Sequence, residues 1–390
     1  MSASRDPGYY GLTQLTEGLP ATDYIDPTRY RREIAEIWHN NWLYVCRAAE
    51  LPGPRTYRTF ELGDQSIVLV RDERGELHGF FNTCRHRGAA LCRNSAGKFP
   101  PAGIVCPYHS WRYGFGGELL QVSSLACADS FRREDYHLYT VPVTTWNGCV
   151  FVALTEHPPA FGAAFDQPLD RLNRWHLEEL VVGHRFQKTI ACNWKAFWEN
   201  YNECLHCPGV HPRLSHLVPI FGRGLQDEHD DPHWQKHARD DDPRYRGGIR
   251  RGAQSWTMEG NPVGVPFPEL SASDRELGQV YVTCLPSAFI VGHMDYVRVV
   301  RLRPLAPEQT ELSVELLFLP ETLQEPARDI SSAVEFTQLV MQEDADVCEI
   351  NQRGLHSSPH RRGVLMPEEY LVAGFQDWVR RQMHSGQATD

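Results

Sequence analysis

Two short motifs, each pairing one cysteine with one histidine, constrain this chain more than any other feature. The first is a C-x-H motif formed by Cys84 and His86, and the second is a C-x-x-H motif formed by Cys106 and His109. Thiolate and imidazole groups are common transition-metal ligands in proteins, so four of them in two short motifs indicate a metal site. Any fold of this region must therefore bring two loops together around one metal centre.

The arrangement of these four residues separates two kinds of metal centre. Zinc fingers usually place two cysteines in one motif and two histidines in the other, whereas here each motif supplies one of each. This division suits a binuclear cluster in which one iron takes both cysteines and the other takes both histidines, the Rieske [2Fe–2S] arrangement. We predict that Cys84, His86, Cys106 and His109 bind such a cluster, with a zinc site as the alternative.

Composition excludes several function classes. The 390 residues suffice for two domains, and 39 Lys and Arg against 50 Asp and Glu give a net charge of −11, which argues against a nucleic-acid partner. No apolar stretch reaches the length of a membrane span and no apolar signal core is seen, so we expect a cytoplasmic protein without membrane contact. The eleven cysteines are then expected to be reduced thiols and metal ligands rather than disulfides.

The pattern along the chain predicts three regions. Residues 1–44 read as an N-terminal helical segment packing on the catalytic domain, with a helix beginning at Asp26 and the Pro that follows it. Residues 45–155 read as short strands and turns, and they contain all four cluster ligands. Residues 156–390 mix helix and strand, and within them residues 222–252 are expected to form a long, mobile surface loop.

The third region contains a second set of metal-binding side chains. Residues 193–206 are expected to form one helix that Pro208 would end, and this helix would place Glu203 and His206 on the same face. His211 follows in the next loop. Two histidines and one carboxylate make the facial triad of non-haem Fe(II) oxygenases, so a carboxylate must come from elsewhere.

A late helix over residues 340–354, with Gly354 as its C-cap, offers that carboxylate. Spacing alone does not choose among its acidic residues, which are Glu343, Asp344, Asp346 and Glu349.

Taken together, these motifs resemble the catalytic alpha subunit of Rieske non-haem iron oxygenases along nearly the whole chain. The resemblance rests on the two cluster motifs, on Asn193-Trp194-Lys195, on residues 199–211, on Glu343-Asp344 and on Asn351-Gln352-Arg353-Gly354. It implies that His206, His211 and Asp344 bind a mononuclear Fe(II). It also implies that Glu203 is a catalytic residue bridging His109 of one subunit and His206 of the next, in a homotrimer or a multiple of one.

The resemblance further implies an α+β fold: an N-terminal all-β Rieske domain, and a larger catalytic domain with an antiparallel sheet flanked by helices, of the helix-grip or START-like kind. The cofactors implied are the [2Fe–2S] cluster and the mononuclear iron. Because the chain has no G-x-G-x-x-G fingerprint after a clear strand, NAD(P)H would act through a separate reductase, with or without a ferredoxin.

Two local features depart from these patterns. The stretch between His86 and Cys106 is slightly longer than usual in the family, and the extra residues are expected in the turn-rich segment 95–101, where they would only lengthen a loop. Cys204 and Cys207 form a C-x-x-C motif beside His206, and we expect them to be packing residues rather than a redox pair or a zinc half-site.

The expected function is the oxygenase component of a multicomponent system that hydroxylates or oxidatively demethylates a small organic molecule. The Glu203 motif resembles oxygenases of quaternary ammonium compounds, whose cationic substrates would need an aromatic cage. Candidates for the pocket are Trp256, Phe267, Tyr281, Phe289 and His293. Hydroxylation, dihydroxylation or O-demethylation of an aromatic acid is the alternative, and a Rieske electron carrier without oxygenase activity is a more remote one.

Overall fold

The chain forms two structural units, and each unit is built from separate stretches of the sequence. In the computed structural model, which describes residues 5–324 and 326–385, the first unit consists of Met1–Ile37, Phe165–Cys284 and Ala288–Asp390. The second unit consists of Trp38–Ala164 and Leu285–Ser287. The four cluster-motif residues therefore lie in the second unit, and the later metal-binding motif lies in the first.

The N-terminal part of the first unit is short and mostly helical. Its elements are β1 (Thr16–Pro20), α1 (Thr22–Ile25), α2 (Pro27–Glu33) and a π-helical turn (Ile34–Trp38). The predicted start of α2 is confirmed, because the Asp26 side chain accepts the backbone N–H of Thr28 at 2.7 Å and Pro27 occupies the first turn. A carboxylate at this position satisfies an N–H that the helix itself leaves unpaired.

The second unit is built from short antiparallel strands. They are β2 (Leu43–Arg47), β3 (Thr56–Leu62), β4 (Gln65–Arg71), β5 (Leu77–Phe81), β6 (Ala96–Lys98), β7 (Ile104–Val105), β8 (Arg112–Tyr113), β9 (Leu119–Gln121), β10 (Thr140–Val141), β11 (Val143–Trp146) and β12 (Cys149–Val152). They form sheets of order β10-β5-β4-β3-β6, β11-β12-β2 and β7-β8-β9. The apolar core of this unit includes Val68, Phe80, Ile104, Trp111 and Tyr113 together with the thiols of Cys84 and Cys106.

The turn-rich segment 95–101 was expected only to lengthen a loop, but in the structure it also forms a strand. Residues Ala96–Lys98 add β6 to the edge of the sheet beside β3, with Tyr57 opposite Gly97. Phe99, which follows, is buried against the Tyr57 ring at 4.5 Å between centroids. Backbone pairing and one apolar anchor therefore hold a segment whose own composition favours turns.

The rest of the first unit surrounds one antiparallel sheet. Its elements are β13 (Val181–Ile190), α3 (Trp194–Tyr201), α4 (Cys207–Val210), α5 (Pro212–Leu217), α6 (Pro243–Arg246), α7 (Ala272–Leu277), β14 (Val280–Cys284), β15 (Ala288–Gly292), β16 (Val297–Ala306), β17 (Gln309–Phe318), α8 (Pro320–Leu323), α9 (Ser331–Leu355), β18 (Arg362–Leu365) and α10 (Tyr370–Ser385). The sheet order is β13-β17-β16-β15-β14, and β18 pairs separately with β1. The predicted α+β fold, with an antiparallel sheet and flanking helices, is confirmed.

Short 3-10 turns complete both units. They are Ala48–Glu50, Arg133–Tyr136, Phe161–Ala164, Leu169–Trp175, Leu177–Glu179, Phe221–Arg223, Glu228–Asp230, Trp234–His237 and Pro367–Glu369.

Residues 222–252 are more ordered than their composition suggested. The segment contains two of the short turns, the end of a third and α6, and Asp230 is buried within it. The Asp230 carboxylate accepts the backbone N–H groups of Gln226 at 2.8 Å and Asp227 at 2.9 Å. The predicted surface loop therefore contains short turns, because aspartate side chains close them by bonding the local backbone.

One buried ion pair ties the N-terminal segment to α3. The Lys195 ammonium donates to the two carboxylate oxygens of Glu33 at 2.8 and 2.7 Å, and both side chains are 0% exposed. Trp194 also donates its indole N–H to Glu33 at 2.9 Å, and Asn193 accepts from the Lys195 ammonium at 2.8 Å. This network fixes the first turn of the helix that leads to the metal-binding motif.

We predict that Glu33→Gln lowers the free energy of unfolding by about 3–5 kcal/mol, because it leaves the Lys195 charge buried without its counter-ion. Denaturant unfolding followed by tryptophan fluorescence measures this. Arg32→Ala, which breaks the solvent-exposed pair with Glu36 in the neighbouring turns, is the matched control and should cost less than about 1 kcal/mol. Equal losses in the two variants would show that the buried pair does not anchor α3.

Candidate active site

The two cluster motifs lie on adjacent turns of the second unit. Cys84 N–H donates to the Ala89 carbonyl at 2.9 Å, and Cys106 N–H donates to the Trp111 carbonyl at 2.8 Å, so each motif is closed by its own backbone. Gly88 has φ of 77°, a left-handed conformation that glycine adopts without strain. The rings of His86 and His109 lie 4.7 Å apart, which brings the two motifs together.

Burial divides the four side chains into two kinds. The thiols of Cys84 and Cys106 are buried in the core of the unit, His86 is exposed and His109 is partly exposed. Burial raises the pKa of the Cys84 thiol, and the Tyr113 hydroxyl at 3.2 Å from its sulfur partly offsets this. Two inner sulfurs and two outer imidazoles fit a binuclear cluster whose histidine-bound iron faces outward.

Arg85, between two of these residues, supports the loop. Its guanidinium donates to the backbone carbonyls of Asp135 (3.2 Å) and His137 and lies 4.2 Å from the centre of the Tyr139 ring. Arg87 is instead exposed, 5.7 Å from the Tyr108 ring. Of the two arginines, only Arg87 therefore presents a positive charge to a protein that could dock at the cluster face.

The second metal-binding motif begins where α3 ends. The Asn193 side chain caps the helix by accepting the N–H of Lys195 at 3.0 Å, and the last helical residue is Tyr201. The predicted single helix through His206 was wrong, because Glu203 accepts the N–H groups of Leu205 and His206 and so forms a separate turn. The next short helix, α4, starts at Cys207, so Pro208 lies in its first turn rather than ending a helix.

The predicted ligands converge although the helix breaks. The Nε2 atom of His211 lies 3.0 Å from Oδ1 of Asp344, and the Nε2 atom of His206 lies 3.5 Å from the same oxygen. The two imidazole rings are 5.1 Å apart. Asp344 reaches this point from the middle of α9, which extends to Leu355, so that Gly354 lies within the helix and is not its C-cap.

The other nitrogen of each imidazole is held by a carboxylate. His206 Nδ1 lies 2.5 Å from Glu203, and His211 Nδ1 lies 2.8 Å from Glu343. Such contacts fix the ring orientation and leave both Nε2 atoms free to face one ion. From the sequence, Glu343 was only one of four candidate ligands. In the structure, Glu343 and Asp344 contact opposite nitrogens of the His211 ring, Nδ1 and Nε2 respectively.

The charges of the site favour a cation. Burial alone would lower the pKa of His206, but the carboxylates of Asp344 and Glu203 outweigh it and raise the pKa to about 9. The same contacts hold the pKa of the Asp344 carboxyl below its usual value, despite burial. Three carboxylates around two imidazoles, with two nitrogens and one oxygen converging, form a donor set that fits a divalent iron.

The remaining acids of α9 face other groups. Asp346 accepts from the Gln342 amide at 2.6 Å, and Glu349 accepts the backbone N–H of Ala191 at 3.0 Å. Neither therefore competes with Asp344 for the site.

Cys204 and Cys207 form a disulfide, with Cα atoms 5.0 Å apart. The expectation that they are only packing residues was wrong, because the turn after α3 brings the C-x-x-C pair within bonding range. The Cys207 sulfur lies 3.9 Å from His206 Nε2. As part of a disulfide it is not a thiolate, so it does not compete with the predicted ligand Asp344.

A cavity of about 350 Å³ lies beside the Glu203–His206 turn. It is lined by Glu203 and His206 and also by Glu199, which accepts the Tyr24 hydroxyl at 2.5 Å and the Gln376 amide at 2.9 Å. Burial raises the pKa of Glu199 to about 7, although both hydrogen bonds act against this. With Glu369, which also lines it, the cavity therefore holds three carboxyl groups close to a predicted iron ligand.

The structure buries four of the five residues expected to line a substrate pocket. Trp256 and His293 are buried with ring centroids 5.1 Å apart, and Phe289 stacks on Tyr201 at 4.1 Å. Phe267 is also buried, while Tyr281 is half-buried with the Arg171 guanidinium 5.6 Å from its ring centre.

Comparison with known proteins agrees with this geometry. Residues 177–385 match the family "Ring hydroxylating alpha subunit (catalytic domain)", and residues 41–132 match the Rieske [2Fe-2S] domain. The chain belongs to the ring-hydroxylating oxygenase alpha subunits. The predicted Rieske cluster and mononuclear non-haem iron are therefore confirmed as the cofactors of this family member.

Similar proteins cover almost the whole chain. The oxygenase subunit of glycine betaine monooxygenase from Chromohalobacter salexigens is 29% identical, over 99% of this chain and 90% of its own length. The chloroplastic choline monooxygenase of Beta vulgaris is 24% identical, over 93% of this chain and 76% of its own length. A solved quaternary ammonium Rieske monooxygenase, studied for carnitine oxidation and inter-subunit electron transfer, has a TM-score of 0.73 at 22% identity, covering 98% of this chain and 100% of its own.

The family assignment fixes the general activity. The chain is the oxygenase component of a multicomponent system, in which electrons from NAD(P)H arrive through a separate reductase and O₂ oxidises a small organic substrate. Among the described residues, no helix is long and apolar enough to cross a membrane.

We predict that Glu343→Ala lowers iron affinity at the mononuclear site by about 10- to 100-fold, because the His211 ring loses the partner that orients it. Iron per chain, measured by elemental analysis after dialysis against a weak chelator, tests this. Asp346→Ala removes a carboxylate of the same helix that accepts from the Gln342 amide instead of facing the two imidazoles, and it should retain iron. Full iron retention in Glu343→Ala would contradict the role assigned to Glu343.

Proposed function

We propose that this protein is the oxygenase of a quaternary ammonium monooxygenase system, which hydroxylates or oxidatively demethylates a methylated ammonium compound. The observation that supports this most directly is the pair of sites: Cys84, His86, Cys106 and His109 as cluster ligands, and His206, His211 and Asp344 as iron ligands. When bound, the cluster supplies single electrons and the iron supplies the site at which O₂ reacts.

The residues of the chain provide orientation and proton positions. Glu203 and Glu343 hold the Nδ1–H sides of the two imidazoles, so that each ring presents Nε2 to the iron position. Asn200 Nδ2 lies 3.3 Å from His206 Nε2 and adds a neutral polar group at the same position. Aromatic rings beside the site, among them the half-buried Tyr201 and the buried Phe289, offer faces on which a methylated cation can lie.

The names of the relatives support the substrate class. Glycine betaine, choline and carnitine, which appear in them, share a trimethylammonium group. Oxidation of an aromatic acid remains the second candidate, since a solved relative of similar fold is a naphthalene 1,2-dioxygenase, with a TM-score of 0.68 at 19% identity.

We also propose a cytoplasmic homotrimer, or a multiple of one, in which His109 of one subunit approaches Glu203 of the next. Support comes from the exposure of His86 and the partial exposure of His109 on the second unit. Glu203 in turn lines an open cavity of the first unit. The related structure that was studied for inter-subunit electron transfer is consistent with such an arrangement.

The direct test is an assay of the purified holoenzyme with a matching reductase. Substrate-dependent consumption of NADH and O₂, with formaldehyde release where a methyl group is lost, is expected with glycine betaine, carnitine or choline. Benzoate and salicylate should give only the background rate. Turnover of the aromatic acids alone would replace this proposal with the second candidate.

We predict that Glu203→Gln retains both metals but lowers coupled turnover by about 10- to 100-fold, because the amide cannot accept an N–H from two imidazoles as a charged group does. Stopped-flow reduction of the cluster, followed by its reoxidation with substrate and O₂, locates the loss at the second step. Glu369→Gln, a carboxyl on the same cavity, is the control and should turn over normally. Wild-type turnover in a fully metallated Glu203→Gln protein would remove Glu203 from the electron route.

A further inference from the structure

Arg298, on β16, is a buried cation that the established cofactors do not explain. Its side chain is 7% exposed, and its Nε atom has no hydrogen-bond partner. Among the described residues, no carboxylate forms an ion pair with its guanidinium, which lies 6.0 Å from the centre of the Phe289 ring.

The other arginines of this sheet are paired. Arg185 donates to Glu315 at 2.9 and 2.6 Å, and Arg303 lies 3.0 Å from Glu311. Strand alternation places Arg303 and Glu315 on one face of the sheet and Arg298 on the opposite face, where it lies across from Val291. Because a buried charge without a counter-ion is costly, the unpaired Arg298 indicates an anionic partner that the chain itself does not provide.

The face that holds Arg298 is also the one that meets the helices of the iron site. Phe289 shares this face, two residues from Val291, and its ring stacks on Tyr201 at 4.1 Å. Tyr201 is the last residue of α3, directly before the turn that presents Glu203 and His206. The anionic partner of Arg298 would therefore lie on the side of the sheet that faces the predicted iron ligands.

A second buried nitrogen also lacks a partner. The indole nitrogen of Trp256 has no hydrogen bond, although the side chain is buried, and its ring lies 5.1 Å from the ring of His293. Burial, and then the charge of Arg298, lower the pKa of His293 well below its usual value, so its ring is neutral. Phe336 of α9, 6.2 Å from the Trp256 ring, lies two turns before Asp344, about 12 Å along the helix axis.

We propose that Arg298 binds the carboxylate of the substrate, and that the substrates are methylated ammonium carboxylates, such as betaine or carnitine, rather than choline. This inference rests on the proposed function. A planar guanidinium can bind a carboxylate with two parallel hydrogen bonds. The ring of Tyr201, which stacks on Phe289 on the same side of the sheet, then suits the opposite, cationic end of the molecule.

Choline provides the contrast because it has the same trimethylammonium group but a hydroxyl in place of the carboxylate. It leaves the Arg298 charge unpaired, so its affinity should be roughly 10- to 100-fold lower, the factor expected for one charge-assisted interaction. The carboxylate also fixes which end of the molecule points away from Arg298, and hence which methyl groups can approach the iron.

The test compares glycine betaine with choline by calorimetric binding to the holoenzyme, and by kcat and KM with a reductase. Arg298→Met should weaken betaine binding by roughly 10- to 100-fold and raise its KM, with choline binding unchanged. The same change should raise the thermal unfolding midpoint of the ligand-free protein, because it removes a buried unpaired charge. Arg303→Met, which breaks an existing pair on the other sheet face, should leave the betaine preference intact.

Arg298→Lys keeps the positive charge but cannot form two parallel hydrogen bonds with a carboxylate, so its loss of betaine affinity should be intermediate. If Arg298→Met does not fold, Arg298→Lys provides the test. Equal betaine affinity in the wild type and in Arg298→Lys and Arg298→Met would overturn the assignment of Arg298, and so would a wild type that binds choline as well as betaine. In both cases, turnover of betaine or choline would leave the proposed function standing. Conversely, Arg298-dependent binding of benzoate with no oxidation of any quaternary ammonium compound would support the carboxylate site and reject the proposed function.

Discussion

The Asp344 carboxylate is the constraint on which the rest of this structure depends. It joins His206 and His211, which lie more than 130 residues earlier in the chain, at 3.5 and 3.0 Å. For these atoms to meet, α9 must pack against α3, and α3 must be held at its start by the Lys195–Glu33 pair. Glu203 and Glu343 then fix the outer side of each imidazole. A buried network of this kind has little freedom to relax, which suits a site that must hold a metal in one geometry.

The chemistry of the site was readable from the sequence because it depends on residue type and short spacing. The cluster motifs at Cys84 and Cys106 needed only the C-x-H and C-x-x-H patterns, and the structure brings their histidine rings to 4.7 Å. Spacing did not choose among the acids of α9. The resemblance to a family did, and the structure places Asp344 at the two imidazoles.

The features that the sequence did not predict depend on tertiary contacts, or on side chains that bond backbone N–H groups in place of a regular helix. Helical periodicity extended α3 through His206, but the Glu203 side chain bonds the backbone of the next turn instead. The Cys204–Cys207 disulfide follows from that turn. Residues 222–252 were expected to form a surface loop, and composition did not predict that Asp230 within them is buried and accepts two backbone N–H groups. Arg298 gave no signal at all in the sequence, since only the sheet register shows that it lies on the face without carboxylates.

The two faces of the sheet in the first unit differ in how their charged side chains are paired. On one face, Arg185 and Arg303 form ion pairs with Glu315 and Glu311. The other face packs Phe289 against an aromatic ring of α3 and leaves the Nε atom of Arg298 without a partner. An apolar surface with a few polar atoms left unpaired is the usual composition of a small-molecule site.

The most direct test of the two-site account is the metal content of the purified protein together with its electron paramagnetic resonance spectrum. The account predicts about three irons and two labile sulfides per chain, with a reduced-cluster signal of the Rieske type. It also predicts that Asp344→Ala loses about one iron and keeps that signal. A colourless protein containing zinc, or an Asp344→Ala variant with undiminished iron, would contradict it.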